Sequence, residues 1–447
     1  MRRPERMGVD PIFRLIVFFA VPSIAGMVSN ALYNIVDRVF VGRCVGAEGL
    51  AAIGLCFSFM IFNLGIALLF GVGAATLIST ALGEKDEKRA ESVLGTAAAC
   101  VFLTSCAVAL LSAWRLDDLL ALSGADAALL PGAREYLRVI LLGIPLANLS
   151  FALNFCIRAE GRPAIAMGTQ MLGASLNIVL DALFIVYMEM GIAGAAWGTI
   201  LSQAASALWV MSFYARRAGV LRFRAKNLVP RAAVLSRILP LGASSCLTEV
   251  SFTLYIVFFN RALSAYGGTL AVSAFGAFMG WDSLLFMPVI GIGEATQTLF
   301  AYNNGARLMK RVLGILKGAL ALAAGYFFCS AVIVYFWAEE MMRLFTSEPD
   351  LLGMAAWGAR ISYSGVLFVG IALITIHFFQ GMGKAGTCFF LNLTRQALFL
   401  IPLVLLLPRF FGLFGVWCCF PATDLASGAV SLCFLLREYA RNLKEFE

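Results

Sequence analysis

The 447-residue chain is 61% hydrophobic and only 13% charged, with a mean hydropathy of +0.88. So little polar surface excludes a soluble globular protein of this length, and we expect lipid to cover most of the molecule. The net charge of +8 does not call for a nucleic-acid partner, because basic loops beside anionic lipid account for it. The eleven cysteines have no paired spacing and only one histidine accompanies them, so neither disulfides nor a zinc site are expected.

Apolar stretches of the length that crosses a bilayer recur along the whole chain. They cover residues 12–37, 49–80, 93–113, 135–156, 164–188, 192–214, 233–260, 270–302, 313–337, 356–379, 388–407 and 413–436. The sequence therefore predicts an all-α membrane protein with twelve transmembrane helices.

The two halves of the chain resemble each other at a shift of 222 residues. Gly46, Gly71 and Thr76 fall on Gly268, Gly293 and Thr298 in this register, and RAEGRP at 158–163 falls on QGMGKA at 380–385. Six crossings return the chain to its starting side, so two six-helix lobes would form a parallel internal repeat, an arrangement typical of transporters. We predict an N-terminal lobe at 1–214, a basic cytoplasmic linker at 215–232 and a C-terminal lobe at 233–447.

The lysines and arginines between the predicted helices predict the orientation. With the N-terminus in the cytoplasm, the inside segments carry twenty-two of these residues, counting Arg237 at the start of the span 233–260, and the outside segments carry seven. The positive-inside rule therefore places both termini in the cytoplasm.

Polar residues inside the predicted spans are few, and those of the first helix share one face. Asn30, Tyr33, Asn34 and Asp37 are spaced i, i+3, i+4 and i+7, which predicts a polar stripe that avoids lipid.

A second pair of polar residues lies on the fifth predicted span, where Asn177 and Asp181 are four residues apart. Counted from the outer loops, Asp37, Asp181 and Thr199 lie at one depth in the N-terminal lobe. Two carboxylates, an amide and a hydroxyl at one level indicate a site for a small cation or a shared proton. Hydrogen bonding between neighbouring helices is the alternative interpretation.

These residues lie within motifs that resemble one transporter family. The run PSIAGMVSNALYNIVDRVFVG at 22–42, RAEGRP at 158–163 and NIVLD at 177–181 are similar to the MATE (multidrug and toxic compound extrusion) family, in particular its bacterial MepA-like and DinF-like branch. The resemblance implies a twelve-helix, two-lobed antiporter that exports organic compounds, often cationic drugs, against entering protons or sodium ions.

The resemblance also implies roles for individual residues of the N-terminal lobe. Those that match the family's cation or proton site are Asp37, Asn154, Asn177, Asp181 and Thr199. Pro22 matches the first-helix proline at which bending has been proposed to accompany protonation.

The C-terminal lobe follows the family pattern less closely. Glu249 resembles an acidic residue of the NorM-like members, and Asp282 beside Trp281 is a candidate negative patch for a cationic substrate. His377, the only histidine, is a candidate proton relay or a structural hydrogen-bonding group.

The sequence thus predicts a monomeric, multi-pass antiporter of the bacterial inner membrane that works by alternating access on small organic substrates. Protons or sodium ions would be the coupling ions, with no cofactor and no metal beyond a possible sodium ion. A lipid-linked saccharide flippase of the same superfamily is the main alternative and would need a cationic cavity. A transporter of the major facilitator superfamily would carry a basic, glycine-containing loop where this chain has the mixed-charge GEKDEKR at 83–89. An intramembrane enzyme would need a catalytic motif, and neither H-E-x-x-H nor G-x-S-x-G occurs.

Overall fold

A computed structural model of the chain describes residues 3–123, 129–344, 346 and 348–443. All regular secondary structure within these residues is helical, so the prediction of an all-α chain is confirmed. A helix satisfies its backbone N–H and C=O groups within one segment, which is the condition that a lipid environment imposes.

The α-helices range from seven to seventy-four residues. They are α1 (Ile12–Cys44), α2 (Ala47–Gly83), α3 (Glu87–Trp114), α4 (Leu116–Leu122), α5 (Leu130–Ala159), α6 (Pro163–Asp181), α7 (Gly191–Ala215), α8 (Ala232–Gly305), α9 (Met309–Met342), α10 (Pro349–Tyr363), α11 (Val366–Gly381), α12 (Ala385–Leu393) and α13 (Ile401–Glu438). The segments Ala182–Tyr187, Thr394–Leu400 and Tyr439–Leu443 are π-helical.

Glycines interrupt two of the longest helices. Gly268 in α8 has φ 65° and Gly412 in α13 has φ 56°, values that glycine adopts without a steric penalty. Each interruption falls in a gap between two predicted spans, so both long helices consist of two helical segments.

The predicted span 356–379 is bent rather than straight. It corresponds to α10 and α11, which meet at Ser364 and Gly365 with a bend of 53°. A Cβ on Gly365 would lie 2.7 Å from the Pro421 Cα, so α13 packs directly against the backbone at the bend.

Eight helices within the described ranges are long and apolar enough to cross a membrane, and nine if α10 and α11 form one bent span. The predicted span 192–214 is helical as α7 but is not among them, because glycine, serine and glutamine dilute its apolar residues. The chain is therefore a helical protein with many apolar spans.

The chain divides into two compact units. Unit 1 comprises Met1–Val9 and Ala25–Glu249, and unit 2 comprises Asp10–Ile24 and Val250–Glu447. Helix α1 therefore contributes to both, and the division falls two residues after Pro22, which has no N–H for the helical ladder. The lobe bounds 1–214 and 233–447 stay a prediction.

Candidate functional site

The carboxyl groups of Asp37 and Asp181 meet inside unit 1. Asp37 lies on α1 and is 9% exposed, and Asp181 is the last residue of α6 and is fully buried. The two carboxyl groups lie within hydrogen-bonding range of each other. We refer to Asp37 and Asp181 as the carboxyl pair.

Asn177 completes the polar face of α6 beside this pair. Its Nδ2 donates to Asp181 Oδ1 at 3.3 Å, the i to i+4 contact that the sequence spacing predicts. Three buried oxygens nearby lack a hydrogen-bond partner among the described residues, namely Asp37 Oδ1, Asp181 Oδ2 and Asn177 Oδ1. Because buried polar atoms are normally paired, these oxygens are suited to a proton or a small cation.

Helix α7 approaches the carboxyl pair at a glycine. A Cβ on Gly198 would collide with Asp181 Oδ1, so only glycine lets α6 and α7 pack this closely. Thr199, the next residue, is 5% exposed, and its carbonyl accepts a hydrogen bond from Ser202 Oγ at 2.8 Å. The structure thus brings Thr199 to the same region of unit 1 as the carboxyl pair.

The chain continues from Asp181 directly into the π-helical segment Ala182–Tyr187. Single π-helical turns within α-helices occur frequently at functional sites. Ile185 within this segment is 3% exposed and belongs to the apolar core of unit 1. Apolar packing of the segment that follows Asp181 therefore fixes the position of the end of α6.

Sequence reasoning missed Tyr136 of α5 as a neighbour of this site. Tyr136 is 1% exposed, packs in the apolar core of unit 1 and interacts electrostatically with both members of the carboxyl pair. Its sequence neighbourhood has no polar periodicity, so only the packing of α5 against its neighbours reveals the contact.

The polar stripe of α1 continues from the pair towards the N-terminal end of the helix. Asn34 Nδ2 donates to the carbonyl of Asn30 at 2.8 Å and lies 3.4 Å from its Oδ1, while Tyr33 interacts electrostatically with the carboxyl pair. Asn34 is exposed, and Asn30 and Tyr33 are half-buried.

The structure does not bring Asn154 to the carboxyl pair. Asn154 Nδ2 donates to the carbonyl of Ala166 at 3.1 Å, near the start of α6. Ala166 and Asp181 are fifteen residues apart on this helix, a distance of about 22 Å at ~1.5 Å per residue. Asn154 therefore lies at the opposite end of α6 from the pair.

Unit 2 contains a separate cluster of buried charges. Arg395 Nε donates to Asp424 Oδ1 at 3.1 Å, and the Tyr363 hydroxyl donates to Asp282 Oδ1 at 3.2 Å. Asp282 also interacts electrostatically with Arg395 and Asp424. Trp281 next to it donates through Nε1 to the carbonyl of Met341, so its indole serves helix packing in this structure.

His377 packs against a glycine of α8 and makes a polar contact with the same helix. Its imidazole occupies the place that a Cβ on Gly293 would take, and Nδ1 lies 3.3 Å from Gln297 Oε1. In unit 1, the Phe155 ring lies 3.1 Å from the place of a Cβ on Gly71, and these two residues precede Gly293 and His377 by 222 positions each. This packing favours the structural interpretation of His377.

Glu249 lies in the first segment of α8, where it is half-buried and interacts electrostatically with Cys246. It is the last residue of unit 1, whereas Asp282 and His377 belong to unit 2.

A buried carboxylate that sequence reasoning did not single out holds the basic linker against unit 1. Glu160, within the RAEGRP motif, is 1% exposed, and its Oε2 accepts the backbone N–H groups of Val220 at 2.8 Å and Leu221 at 3.2 Å. Burial raises the pKa of Glu160 from its ordinary 4.5 to about 7, although these two hydrogen bonds oppose the shift. Arg224 of the linker forms an ion pair with buried Glu91 of α3 at 2.6 Å.

Comparison with known proteins identifies the family. A model of the MatE family matches residues 22–183 and 240–406. The multidrug export protein MepA of Staphylococcus aureus strain MSSA476 is 27% identical over 431 residues, which cover 96% of this chain and 95% of that protein.

Solved structures match over nearly the whole chain. A multidrug resistance MATE family transporter of the MOP superfamily, in an outward-facing conformation, is 24% identical with a TM-score of 0.93 over 98% of both chains. A MOP superfamily transporter from Pyrococcus furiosus is 24% identical with a TM-score of 0.90 over 97% of both. These structures establish the fold, and the family model covers more than half of the sequence, so the chain belongs to the MatE family.

Proposed function

We propose that the chain is a secondary antiporter that exports organic, mainly cationic compounds in exchange for protons or sodium ions. The observation that carries this proposal is the meeting of Asp37 and Asp181 inside unit 1. Charged groups inside a membrane domain are costly, and they mark ion pathways and proton relays more often than structural contacts.

The donor set suits either coupling ion. Two carboxylates within hydrogen-bonding range repel each other when both are ionised, so a shared proton or a bound cation stabilises them. Asn177 adds an unpartnered amide oxygen, and Na⁺ prefers such hard oxygen ligands. Asn154 takes no part in binding the ion in this proposal, because it lies near the start of α6.

Ion binding at the carboxyl pair would drive export by alternating access. In the outward-open state the ion neutralises the pair, favours closure and releases the substrate; in the inward-open state the ion leaves to the cytoplasm. One charge crossing ~100 mV supplies about 2.3 kcal/mol, which sustains a concentration ratio of roughly 50-fold. Pro22, beside the division of α1 between the two units, is the proposed point at which the helix bends.

The backbone supports twelve spans arranged as a parallel repeat. Four residues with positive φ in the first half recur in the second half at a shift of 222 or 221 residues. The pairs are Gly46 and Gly268 (φ 94° and 65°), Lys85 and Arg307 (62° and 59°), Gly161 and Gly383 (79° and 75°), and Gly191 and Gly412 (59° and 56°). Similar backbone turns at equal spacing favour one six-helix unit used twice.

The proposed location is the bacterial plasma membrane, with both termini in the cytoplasm. The distribution of lysine and arginine supports this orientation, and the apolar helices support the multi-pass topology. The relative MepA is named a multidrug export protein, which supports small organic substrates. We propose that Asp282 contributes negative charge for such cations within unit 2.

The test measures export from liposomes that contain the purified protein and a fluorescent organic cation. Asp37→Asn and Asp181→Asn should each lower gradient-driven transport by about tenfold or more, because an amide neither takes up a proton nor carries the compensating charge. The matched control is Asp118→Asn, which removes an exposed carboxylate that pairs with Arg115 at 2.9 Å. Transport by Asp37→Asn at the wild-type rate would reject the assignment.

Separate gradients of sodium ions and protons in the same liposomes identify the coupling ion. If protons compete with the dye for binding and polyprenyl phosphate does not, the result supports the antiporter. Competition by polyprenyl phosphate alone would instead favour the lipid-linked saccharide flippase.

A further inference from the structure

A basic cavity lies in unit 2 where the end of α13 meets the turn between α11 and α12. Its volume is about 250 Å³, and the residues that line it are Phe379, Lys384, Thr387, Phe434, Arg437, Glu438 and Arg441. This volume is smaller than the roughly 300 to 1,000 Å³ of sites for drug-sized ligands, so the cavity suits a compact chemical group rather than a whole organic substrate.

The charges around the basic cavity leave a net excess of positive charge. Lys384 Nζ donates to both carboxylate oxygens of Glu438, at 2.6 and 2.5 Å, and this pair compensates itself. Arg437 and Arg441 are exposed, and neither forms an ion pair with any described residue. Two guanidinium groups at one cavity are well suited to phosphate oxygens, which they bind through paired, charge-assisted hydrogen bonds.

The cavity adjoins apolar surface that faces outward from the protein. Phe434 lines the cavity, and its ring centroid lies 5.6 Å from that of Phe390, which is 42% exposed. In a membrane protein such a surface contacts acyl chains. The basic groups of the cavity and the neighbouring apolar surface therefore match the charged headgroup and the acyl chains of a lipid.

We propose that the basic cavity binds the phosphate of an anionic phospholipid headgroup. Arg437 and Arg441 hold the phosphate, the Lys384–Glu438 pair fixes the wall behind them, and the acyl chains lie along Phe434 and Phe390. A free phosphate ion would use the arginines alone, whereas a phospholipid also uses the aromatic surface. The site is independent of the carboxyl pair and of the proposed transport activity.

The test uses the full-length protein in a neutral detergent, titrated separately with phosphatidylglycerol, phosphatidylcholine and inorganic phosphate. Native mass spectrometry counts the bound lipid, and the midpoint of thermal unfolding reports the affinity. The double variant Arg437→Gln, Arg441→Gln should bind phosphatidylglycerol about thirtyfold more weakly than the wild type, because each arginine beside an anionic headgroup contributes roughly fivefold.

Arg216→Gln combined with Arg222→Gln is the matched control, because it removes two exposed linker arginines and leaves the cavity unchanged. It should bind phosphatidylglycerol as the wild type does. Phe434→Ala should weaken phosphatidylglycerol binding and leave inorganic phosphate unaffected. Equal binding of phosphatidylglycerol by the wild type and the double arginine variant overturns the proposal. Inorganic phosphate or phosphatidylcholine binding as tightly as phosphatidylglycerol also overturns it, since the site would then not select an anionic lipid.

Discussion

Replacing Glu160 with glutamine should remove a pH dependence from the attachment of the linker to unit 1. The Glu160 carboxylate accepts the amide hydrogens of Val220 and Leu221 in a buried position, and its pKa is about 7 rather than the ordinary 4.5. When the linker detaches, water reaches the side chain and the pKa returns to its ordinary value. The attached state therefore holds a proton that the detached state has lost between about pH 4.5 and pH 7.

The sign and size of the effect follow from this difference. A raised carboxyl pKa stabilises the attached state fully below pH 4.5, and that contribution is lost as the pH rises through about 7. The two pKa values differ enough to correspond to about 3 kcal/mol, or a few hundredfold in the detachment equilibrium. Glu160→Gln cannot ionise and keeps an acceptor oxygen, so its attachment should not vary with pH on this account.

Hydrogen exchange at the Val220 and Leu221 amides measures this equilibrium directly. Their protection, corrected for the intrinsic exchange rate, should fall in the wild type relative to Glu160→Gln as the pH rises from about 4.5 to about 7. The Arg89 amide, which donates to Asp86 Oδ1 at 3.0 Å at the start of α3, is the internal control and should respond equally in both proteins. Parallel pH profiles for the two proteins at Val220 and Leu221 would refute the reasoning.

Three further substitutions test the packing around the buried charges. Gly198→Val should displace the Asp181 carboxyl, destabilise the protein by about 1 to 3 kcal/mol and lower coupled transport, as thermal unfolding and liposome assays would measure. Arg395→Met leaves the buried Asp424 carboxylate without its cation and should cost about 3 to 5 kcal/mol of stability, whereas adding Asp424→Leu should recover much of it. His377→Phe should cost about 1 to 3 kcal/mol, because it removes the imidazole beside the buried Gln297 Oε1, and should leave the pH dependence of transport unchanged, because the imidazole is a structural group.

Each of these expectations has an outcome that contradicts it. Full transport by Gly198→Val would show that close packing of α6 and α7 does not position Asp181. Equal thermal stability of Arg395→Met and the wild type would show that the ion pair with Asp424 contributes nothing. A shifted pH profile in His377→Phe would give the imidazole a role in proton transfer.

Helical periodicity predicted the local part of the candidate site. The spacing of Asn177 and Asp181 gave their contact correctly, because residues four apart on a helix are neighbours whatever surrounds them. Depth counting brought Asp37, Asp181 and Thr199 to one region for a similar reason, since helices that cross a bilayer share its boundaries.

Contacts that depend on how helices rotate and approach each other were not predictable. Gly198 has a special role only because the Asp181 carboxyl occupies the place of its missing side chain. Tyr136 contributes to the site from a helix with no polar periodicity, and Glu160 uses backbone groups sixty residues further along the chain. Asn154 differs from these three, because its closeness in sequence to the predicted cytoplasmic loop already indicated a depth away from the carboxyl pair, and in the structure it donates to a backbone carbonyl near the start of α6.

The turns that follow α2 and α8 contain basic residues in a backbone conformation that suits glycine better. Lys85 and Arg307 have φ of 62° and 59°, and an L-residue pays about 1 to 2 kcal/mol for this geometry. Each turn thus retains a positive charge at the predicted membrane boundary at the expense of backbone strain. Glycine at either position should relax the turn and also weaken the charge asymmetry that guides insertion. The stability of the turn therefore favours glycine at this position, whereas the orientation of the chain in the membrane favours a basic residue.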